Sequence, residues 1–197
     1  MIFPSEHGLQ RCDPFHAPWR NEHGAPAHGN VLGSFAYCPK GHITDLHQDS
    51  LFEGRFFTVL FGRKLFLTWP PSAHNLQVYS EIHGSFSGFA LPTLLPRLQN
   101  LHMTLCTHGA VGYMPPGTIH AVLNIDTAAT FAYDVVHSRM LPDITRLCAW
   151  EQDVARHLLV SEDHADTVNS IRREHKDGMK LWTNLALVSD SKDVRDA

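Results

Sequence analysis

The stretch Ile-Thr-Asp-Leu-His-Gln-Asp, residues 43–49, alternates in the manner of a β-strand and carries an imidazole and a carboxylate two residues apart. Side chains alternate between the two faces of a strand, so His47 and Asp49 are expected on the same face. An inward-facing His-x-Asp pair needs one further imidazole to become the 2-His-1-carboxylate triad that holds Fe(II) and leaves coordination positions open. This stretch therefore predicts a β fold built around a metal centre.

His120 is the best candidate for the third ligand. It follows the sequence Pro-Pro-Gly-Thr at 115–118 and precedes the apolar run Ala-Val-Leu at 121–123. A rigid turn before an apolar strand is a good way to hold one imidazole against a metal. The alternative is a core histidine bonded to a backbone carbonyl, and the local sequence leaves both interpretations open.

Other histidines give weaker signals. With 15 His in 197 residues a His-x-Asp pair arises easily by chance, and a second pair is present at His164 and Asp166. That pair lies in a polar stretch typical of an exposed helix, where residues two apart point in different directions. Four further histidines fit no metal-ligand spacing and are interpreted as exposed or locally bonded: His7, His16, His23 and His28.

Length and composition predict a single domain with its own core. The formal net charge of -4 gives no electrostatic reason to bind nucleic acid. The four cysteines are widely spaced, which favours neither a zinc ribbon nor a dense disulfide framework. The sequence shows no secretory leader and no apolar run near the roughly 20 residues of a membrane span. We therefore expect an intracellular protein, in the nucleus or cytoplasm, that binds neither nucleic acid nor membrane.

Periodicity and turn residues predict a mainly β domain followed by helices. Short segments rich in aromatic and β-branched residues, separated by Gly and Pro, are typical of a sandwich or barrel. The predicted strands are residues 31–37, 43–49, 56–61, 64–69, 100–107, 112–114, 120–124 and 130–136. Residues 73–98 are expected to form a long loop with room for a short helix. Helical spacing follows at 144–159 and, more weakly, at 167–187.

These patterns divide the chain into four parts. We predict an irregular N-terminal segment at residues 1–30, a β-barrel at 31–140, C-terminal helices at 141–188 and a flexible tail at 189–197. The apolar stripe of the first C-terminal helix is expected to pack on the barrel or on a second copy of the chain. A homodimer through these helices is therefore one expectation.

Lys64 is a candidate for anchoring a buried anion. It lies 15 residues after Asp49 and heads a strand directly after the Gly-Arg turn at 62–63. If residues 56–61 run antiparallel to the next strand, its ammonium comes back toward the metal end of the sheet. A lone lysine at the head of a strand is more often exposed. The apolar run Leu-Phe-Leu at 65–67 favours an inward position instead.

Three stretches together resemble the JmjC domain of Fe(II)- and 2-oxoglutarate-dependent oxygenases. They are Thr-Asp-Leu-His-Gln-Asp at 44–49, Gly-Arg-Lys-Leu-Phe-Leu-Thr-Trp-Pro-Pro at 62–71 and Pro-Gly-Thr-Ile-His-Ala-Val-Leu-Asn at 116–124. They are most similar to the branch of plant-homeodomain-linked and F-box-linked histone lysine demethylases, in which these motifs occur in the same order. The resemblance covers about residues 31–160 and implies a double-stranded β-helix, a jelly-roll or cupin-like barrel, with a C-terminal helical segment.

The resemblance also implies the roles of the site residues. His47, Asp49 and His120 would be the catalytic residues that bind Fe(II). Lys64 would pair with the distal carboxylate of the cosubstrate 2-oxoglutarate, and Thr44 would donate a hydrogen bond to the same group. A buried dicarboxylate needs such a cation and hydroxyl at its far end.

Two positions depart from the pattern of this branch. Phe57 stands where the branch often has a Tyr whose phenol assists cosubstrate binding, so that hydrogen bond is missing. Asp134, 14 residues after His120, stands at a cofactor-binding position where an Asn would face the metal-proximal carboxylate. An ionised Asp there would repel the cosubstrate unless it is protonated or turned away.

The expected function is that of a 2-oxoglutarate-dependent dioxygenase, which uses O2 to hydroxylate a C–H bond of a peptide or small molecule. On an N-methyl-lysine this reaction is demethylation. Three alternatives stay open: an oxygenase acting on a small molecule or a non-histone protein, a catalytically silent JmjC-like interaction module, and a cupin-type metalloenzyme without cosubstrate. Phe57 and Asp134 favour the silent module.

Overall fold

The computed structural model describes residues 2–3, 34–82, 89–136, 140–158 and 165–188, without the side chains of 2–3 and 184–188. Most of the predicted N-terminal segment, the tail at 189–197 and His164 lie outside these residues. The four N-terminal histidines also lie outside them.

The described strands form two antiparallel sheets. They are β1 (Ile2–Phe3), β2 (Ser34–Cys38), β3 (Ile43–His47), β4 (Gly54–Phe61), β5 (Lys64–Trp69), β6 (His102–Cys106), β7 (Val111–Met114), β8 (Ile119–Asn124) and β9 (Ala128–Val135). One sheet has the order β1-β7-β4-β9-β2, and the other has the order β3-β8-β5-β6. The prediction of a mainly β fold is confirmed.

The two sheets pack face to face through the apolar side chains that alternate inward. The buried cluster between them draws on both sheets and contains Phe57, Val59, Phe66, Cys106, Met114, Val122 and Ala132. Burying such side chains contributes about 1.5–3 kcal/mol each. The polar side chains that share these inward faces are therefore enclosed between the sheets, and they form the candidate site described below.

Buried residues of four described helices form one apolar cluster with strands β3, β5 and β8. The helices are α1 (Ala73–Ser80), α2 (Leu91–Leu94), α3 (Leu141–Leu158) and α4 (Ala165–Val188). The apolar stripe of α3 is buried within the chain, where Ile144 and Leu147 join a core cluster with Ile119 of β8. The predicted homodimer stays a prediction. No helix among the described residues is long and apolar enough to cross a membrane.

Most element boundaries differ by a few residues from the sequence-based prediction, and two differences affect the region of the candidate site. Strand β3 ends at His47 rather than at residue 49. The chain leaves the sheet there because the Gln48 side chain donates a hydrogen bond to the carbonyl of Gly117, 2.6 Å away, and Gly117 N–H donates to the carbonyl of Ser50. The predicted loop at 73–98 contains α1, whose first turn is capped by the Ser72 hydroxyl, and the single turn α2.

Candidate metal centre

Pairing of β3 with β8 brings the two candidate imidazoles together. His47 and His120 are opposite each other in the antiparallel register, beyond an irregularity between Thr44 and His47. Their ring centroids are 4.0 Å apart. Asp49 reaches the same place from the segment after β3, because its neighbours Gln48 and Ser50 are bonded to the turn that precedes His120.

The three candidate ligands surround a space of the size of one metal ion. Nε2 of His47 lies 3.6 Å from Oδ1 of Asp49, and Nε2 of His120 lies 3.6 Å from Oδ2 of Asp49. One ligand atom from each residue can be chosen so that all three lie within 4.8 Å of one another. Ligands held by bonds of about 2.1 Å require similar spacing around one ion. The donor set therefore fits a metal that prefers imidazole and carboxylate.

Backbone carbonyls fix the tautomer of both histidines. Nδ1 of His47 lies 2.7 Å from the carbonyl oxygen of Asp45, and Nδ1 of His120 lies 3.0 Å from that of Thr118. A carbonyl only accepts, so each Nδ1 donates and each Nε2 keeps its lone pair for a metal. His120 does make the carbonyl bond expected of a core histidine, but its other nitrogen faces Asp49.

The protonation states of His120 and Asp49 suit a metal centre. Burial, together with the nearby His47, lowers the pKa of His120 to about 4, so this imidazole is neutral near pH 7. Burial disfavours the charged form of His47, yet its contacts with Asp49 and the Asp45 carbonyl raise its pKa. Burial likewise opposes ionisation of Asp49, but the two histidines and Arg55 lower its pKa. The carboxylate is therefore available as an anionic ligand.

Asp45 supports the site in a way that its sequence position does not reveal. Its carboxylate accepts hydrogen bonds from the backbone N–H groups of Ala90, at 2.5 Å, and Leu91, at 2.9 Å. Its carbonyl orients His47. One residue thus joins β3, the start of α2 and a metal-ligand candidate. The T-D-x-H spacing is the only sequence signal that could have pointed to it.

Arg55 is a second residue that sequence reasoning missed. Its guanidinium donates from Nε to Oδ1 of Asp134 at 2.8 Å and from Nη2 to Oδ2 of Asp134 at 3.3 Å. Nη1 lies 3.0 Å from Oδ1 of Asp49. Asp134 is therefore paired with a cation, and its predicted role toward a cosubstrate stays a prediction.

At the other end of β8 the structure encloses Lys64. Its cross-strand neighbour is Asn124, and only 5% of its surface is exposed, so it is not the surface residue that lysine statistics favour. Burial lowers the pKa of its ammonium, and no carboxylate pairs with it among the described residues. Asn124 Oδ1 and Thr130 Oγ1 are also buried without a hydrogen-bond partner in that part of the chain. Such unsatisfied groups are costly unless a ligand completes them.

Thr44 and Phe57 lie between the two ends. Thr44 is opposite Val122, midway between His120 and Asn124 on β8. The Phe57 ring is 4% exposed and stacks on Phe66, with ring centroids 4.4 Å apart. Both rings line a cavity of about 340 Å³ that also contacts Thr68, the cross-strand neighbour of His120.

A second cavity, of about 430 Å³, opens beside the triad on the side of α4. Its described lining carries five carboxylates and the single cation Arg55: Asp49, Glu53, Asp134, Glu174 and Asp177. Burial and the nearby Asp134 raise the pKa of Glu53. Helix α4 comes close here because Gly178 has no side chain; an added Cβ would lie 2.3 Å from the Phe52 ring. The cavity is electrostatically suited to a positively charged group.

Two facing antiparallel sheets with a 2-His-1-carboxylate cluster at one end define a mainly β candidate metalloprotein. Comparison with known proteins gives a more particular result. No family model matches the chain. It is 32% identical over 111 residues to Lysine-specific demethylase 2B of Mus musculus, a match that covers 54% of this chain and 8% of that protein.

Two further relatives carry JmjC in their names. JmjC domain-containing histone demethylation protein 1 of Caenorhabditis briggsae is 32% identical over 107 residues, which are 54% of this chain and 10% of that protein. JmjC domain-containing protein A of Dictyostelium discoideum is 28% identical over 106 residues, which are 49% and 41% of the two chains. The chain spans less than half of the length of each of these relatives. The resemblance to the JmjC family is confirmed.

Proposed function

We propose that this chain is the core of an Fe(II)- and 2-oxoglutarate-dependent oxygenase that hydroxylates a C–H bond. The observation that carries the proposal is the convergence of His47, Asp49 and His120, with both Nε2 atoms directed at the carboxylate. Three ligands on one side of an ion leave positions open for a cosubstrate and O2. The facing sheets would then be the double-stranded β-helix of a JmjC domain, which the sequence predicts at residues 31–140.

The residues at the end of β8 away from His120 favour 2-oxoglutarate as the cosubstrate. His120 and Asn124 are four residues apart, about 13 Å at the ordinary rise of a strand. A lysine side chain and a five-carbon dicarboxylate together can fill that span. In this proposal Lys64 pairs with the distal carboxylate and Thr44 donates a hydrogen bond to it. A dianion held there would also neutralise a buried ammonium that has no carboxylate partner among the described residues.

The chemistry divides between the metal and the protein. When bound, Fe(II) supplies O2 activation coupled to the oxidative decarboxylation of 2-oxoglutarate. The protein orients the two imidazoles through the carbonyls of Asp45 and Thr118, which accept from each Nδ1 and leave each Nε2 directed at the metal.

The acidic cavity favours a cationic substrate, and we propose N-methyl-lysine demethylation as the reaction. A methylated ammonium stays charged in the cavity of about 430 Å³ beside the triad, where five carboxylates face one guanidinium. The relatives whose names include histone demethylation make a nuclear location part of this proposal. A small neutral substrate would gain nothing from these charges.

A catalytically silent interaction module is the second candidate, and Phe57 favours it. The ring stacks on Phe66 inside the sandwich and offers no hydroxyl to a cosubstrate. In that case the chain would bind metal without turning over 2-oxoglutarate.

Anaerobic titration of 2-oxoglutarate into the Fe(II)-loaded chain separates these candidates. The proposal predicts a metal-to-ligand charge-transfer band, followed in air by succinate formation. His120→Ala should abolish both signals, whereas the matched variant His157→Ala, at an exposed position on α3, should retain them. A metal-loaded wild-type chain that shows no band and forms no succinate would contradict the oxygenase. Formaldehyde release from an N-methyl-lysine peptide then tests the substrate class.

A further inference from the structure

Arg55 lies between the carboxylates of Asp49 and Asp134, beside the candidate metal centre. It is the direct cross-strand neighbour of Asp134 in the pairing of β4 with β9. Its Nε and Nη2 reach the two oxygens of Asp134, and its Nη1 reaches Oδ1 of Asp49. The guanidinium therefore joins a candidate metal ligand to a carboxylate that is not one.

The planar fork of arginine is what makes this arrangement possible. Three nitrogens in one plane can hold a bidentate carboxylate and still contact a second one, which a lysine ammonium cannot do with the same geometry. Because Arg55 engages Oδ1 of Asp49, Oδ2, on the side of His120, stays available to an ion.

The charges of Arg55 and Asp134 cancel beside the metal centre. Arg55 alone would repel a divalent cation, and Asp134 alone would add a second carboxylate that could enter the coordination sphere. Together they contribute no net charge, so Asp49 alone supplies the negative charge of the metal centre. The cavity lining brings three further carboxylates to this place, Glu53, Glu174 and Asp177, so an unpaired Asp134 would add to an already negative wall.

We propose that Arg55 and Asp134 are a charge-balanced positioning pair of the metal centre. Arg55 holds Oδ1 of Asp49, which makes Asp49 a ligand through Oδ2 alone, and it keeps Asp134 off the metal so that a coordination position stays open. This inference rests on the proposed function only in that a divalent metal binds at the triad.

A double-mutant cycle with Mn(II) affinity as the readout tests the pair. Arg55→Met removes the cation, and Mn(II) should bind about tenfold more tightly. Asp134→Asn leaves the cation uncompensated, and Mn(II) should bind about tenfold more weakly. The double variant restores the charge balance and should return to within about threefold of wild type.

The cobalt absorption spectrum gives a second readout that a purely structural ion pair would not move. Co(II) bound to Arg55→Met should show an altered visible spectrum, because Asp134 is then free to coordinate. The double variant should regain the wild-type spectrum. Arg55→Lys keeps the charge and is a second variant should Arg55→Met fail to fold. Its Mn(II) affinity should stay within about threefold of wild type, whereas its cobalt spectrum should change.

A matched control is offered by Arg63 and Asp126, a second fork pair, which is exposed. Nε and Nη2 of Arg63 donate to the two oxygens of Asp126. Arg63→Met should leave Mn(II) affinity and the cobalt spectrum unchanged. The inference is overturned if wild type binds Mn(II) but both single variants shift its affinity in the same direction or not at all. Failure of wild type to bind any divalent metal would instead overturn the proposed function together with this inference.

Discussion

The two ends of β8 carry opposite chemistry. At one end, His120 faces a second imidazole and a carboxylate, and both Nδ1 atoms already have acceptors. At the other end, Lys64 is buried with no carboxylate partner, and Asn124 Oδ1 and Thr130 Oγ1 are buried without a hydrogen-bond partner, among the described residues. The first end is preorganised for a small cation, whereas the second holds a buried cation that the distal carboxylate of 2-oxoglutarate would neutralise under the proposed function. One strand would then present a metal and its anionic cosubstrate in line.

The largest effect is expected from removing one ligand of the candidate metal centre. His47→Ala removes one of three ligands, so Mn(II) should no longer stabilise the protein. A ligand at a thousand times its dissociation constant stabilises the folded state by about 4 kcal/mol. The melting temperature of wild type should therefore rise with added Mn(II), whereas that of His47→Ala should not. His74→Ala, on the exposed side of α1, is the control and should behave as wild type. A metal-dependent rise of equal size in His47→Ala would contradict the assignment.

Removing the Lys64 ammonium should leave the metal centre intact. Lys64→Met removes the buried cation that would pair with the distal carboxylate, so the dissociation constant of 2-oxoglutarate should rise about 100-fold or more. Mn(II) affinity should not change. The ligand-free protein should be at least as stable as wild type, because the substitution removes a charge that burial disfavours.

The exposed Lys40 gives the matched control, since Lys40→Met should leave 2-oxoglutarate binding unchanged. Calorimetric titration of 2-oxoglutarate into the Mn(II)-loaded variants measures the cosubstrate constants, and titration of Mn(II) into the metal-free variants measures the metal affinity. Unaltered cosubstrate binding in Lys64→Met would remove Lys64 from the site.

How far the sequence could predict this arrangement differs between the two ends. The spacing of His47, Asp49 and His120 pointed to the triad, and the apolar run after Lys64 pointed to its burial. Arg55 could not be assigned, because its partner Asp134 is 79 residues away and the pairing depends on the register of β4 with β9. The carboxylate of Asp45 was missed for the same reason, since its acceptor role depends on where α2 begins.

A smaller effect should follow when the Thr44 hydroxyl, which lies between the triad and Lys64, is removed. Thr44→Val keeps the shape of the side chain but removes one hydrogen bond to a charged group, which is worth about tenfold in cosubstrate affinity. The same calorimetric titration measures it. An unchanged constant would place the distal carboxylate away from β3.

The smallest effect is expected from adding a hydroxyl. Phe57→Tyr supplies the phenol that the demethylase-like branch often has, and 2-oxoglutarate affinity should improve about fivefold if the phenol reaches the carboxylate. Phe56→Tyr, a half-buried ring on the opposite face of β4, serves as the control and should have no effect. Unchanged 2-oxoglutarate affinity in Phe57→Tyr would mean that the ring packs where the cosubstrate does not reach.

The central claim is that His47, Asp49 and His120 form one metal centre, and Mn(II) stoichiometry tests it most directly. The two His-x-Asp pairs of the chain supply matched variants, Asp49→Asn at the triad and Asp166→Asn at an exposed position on α4. Titration calorimetry should give one ion per chain for wild type and for Asp166→Asn, and no binding at the same concentrations for Asp49→Asn. One ion per chain with unchanged affinity in Asp49→Asn would contradict the account.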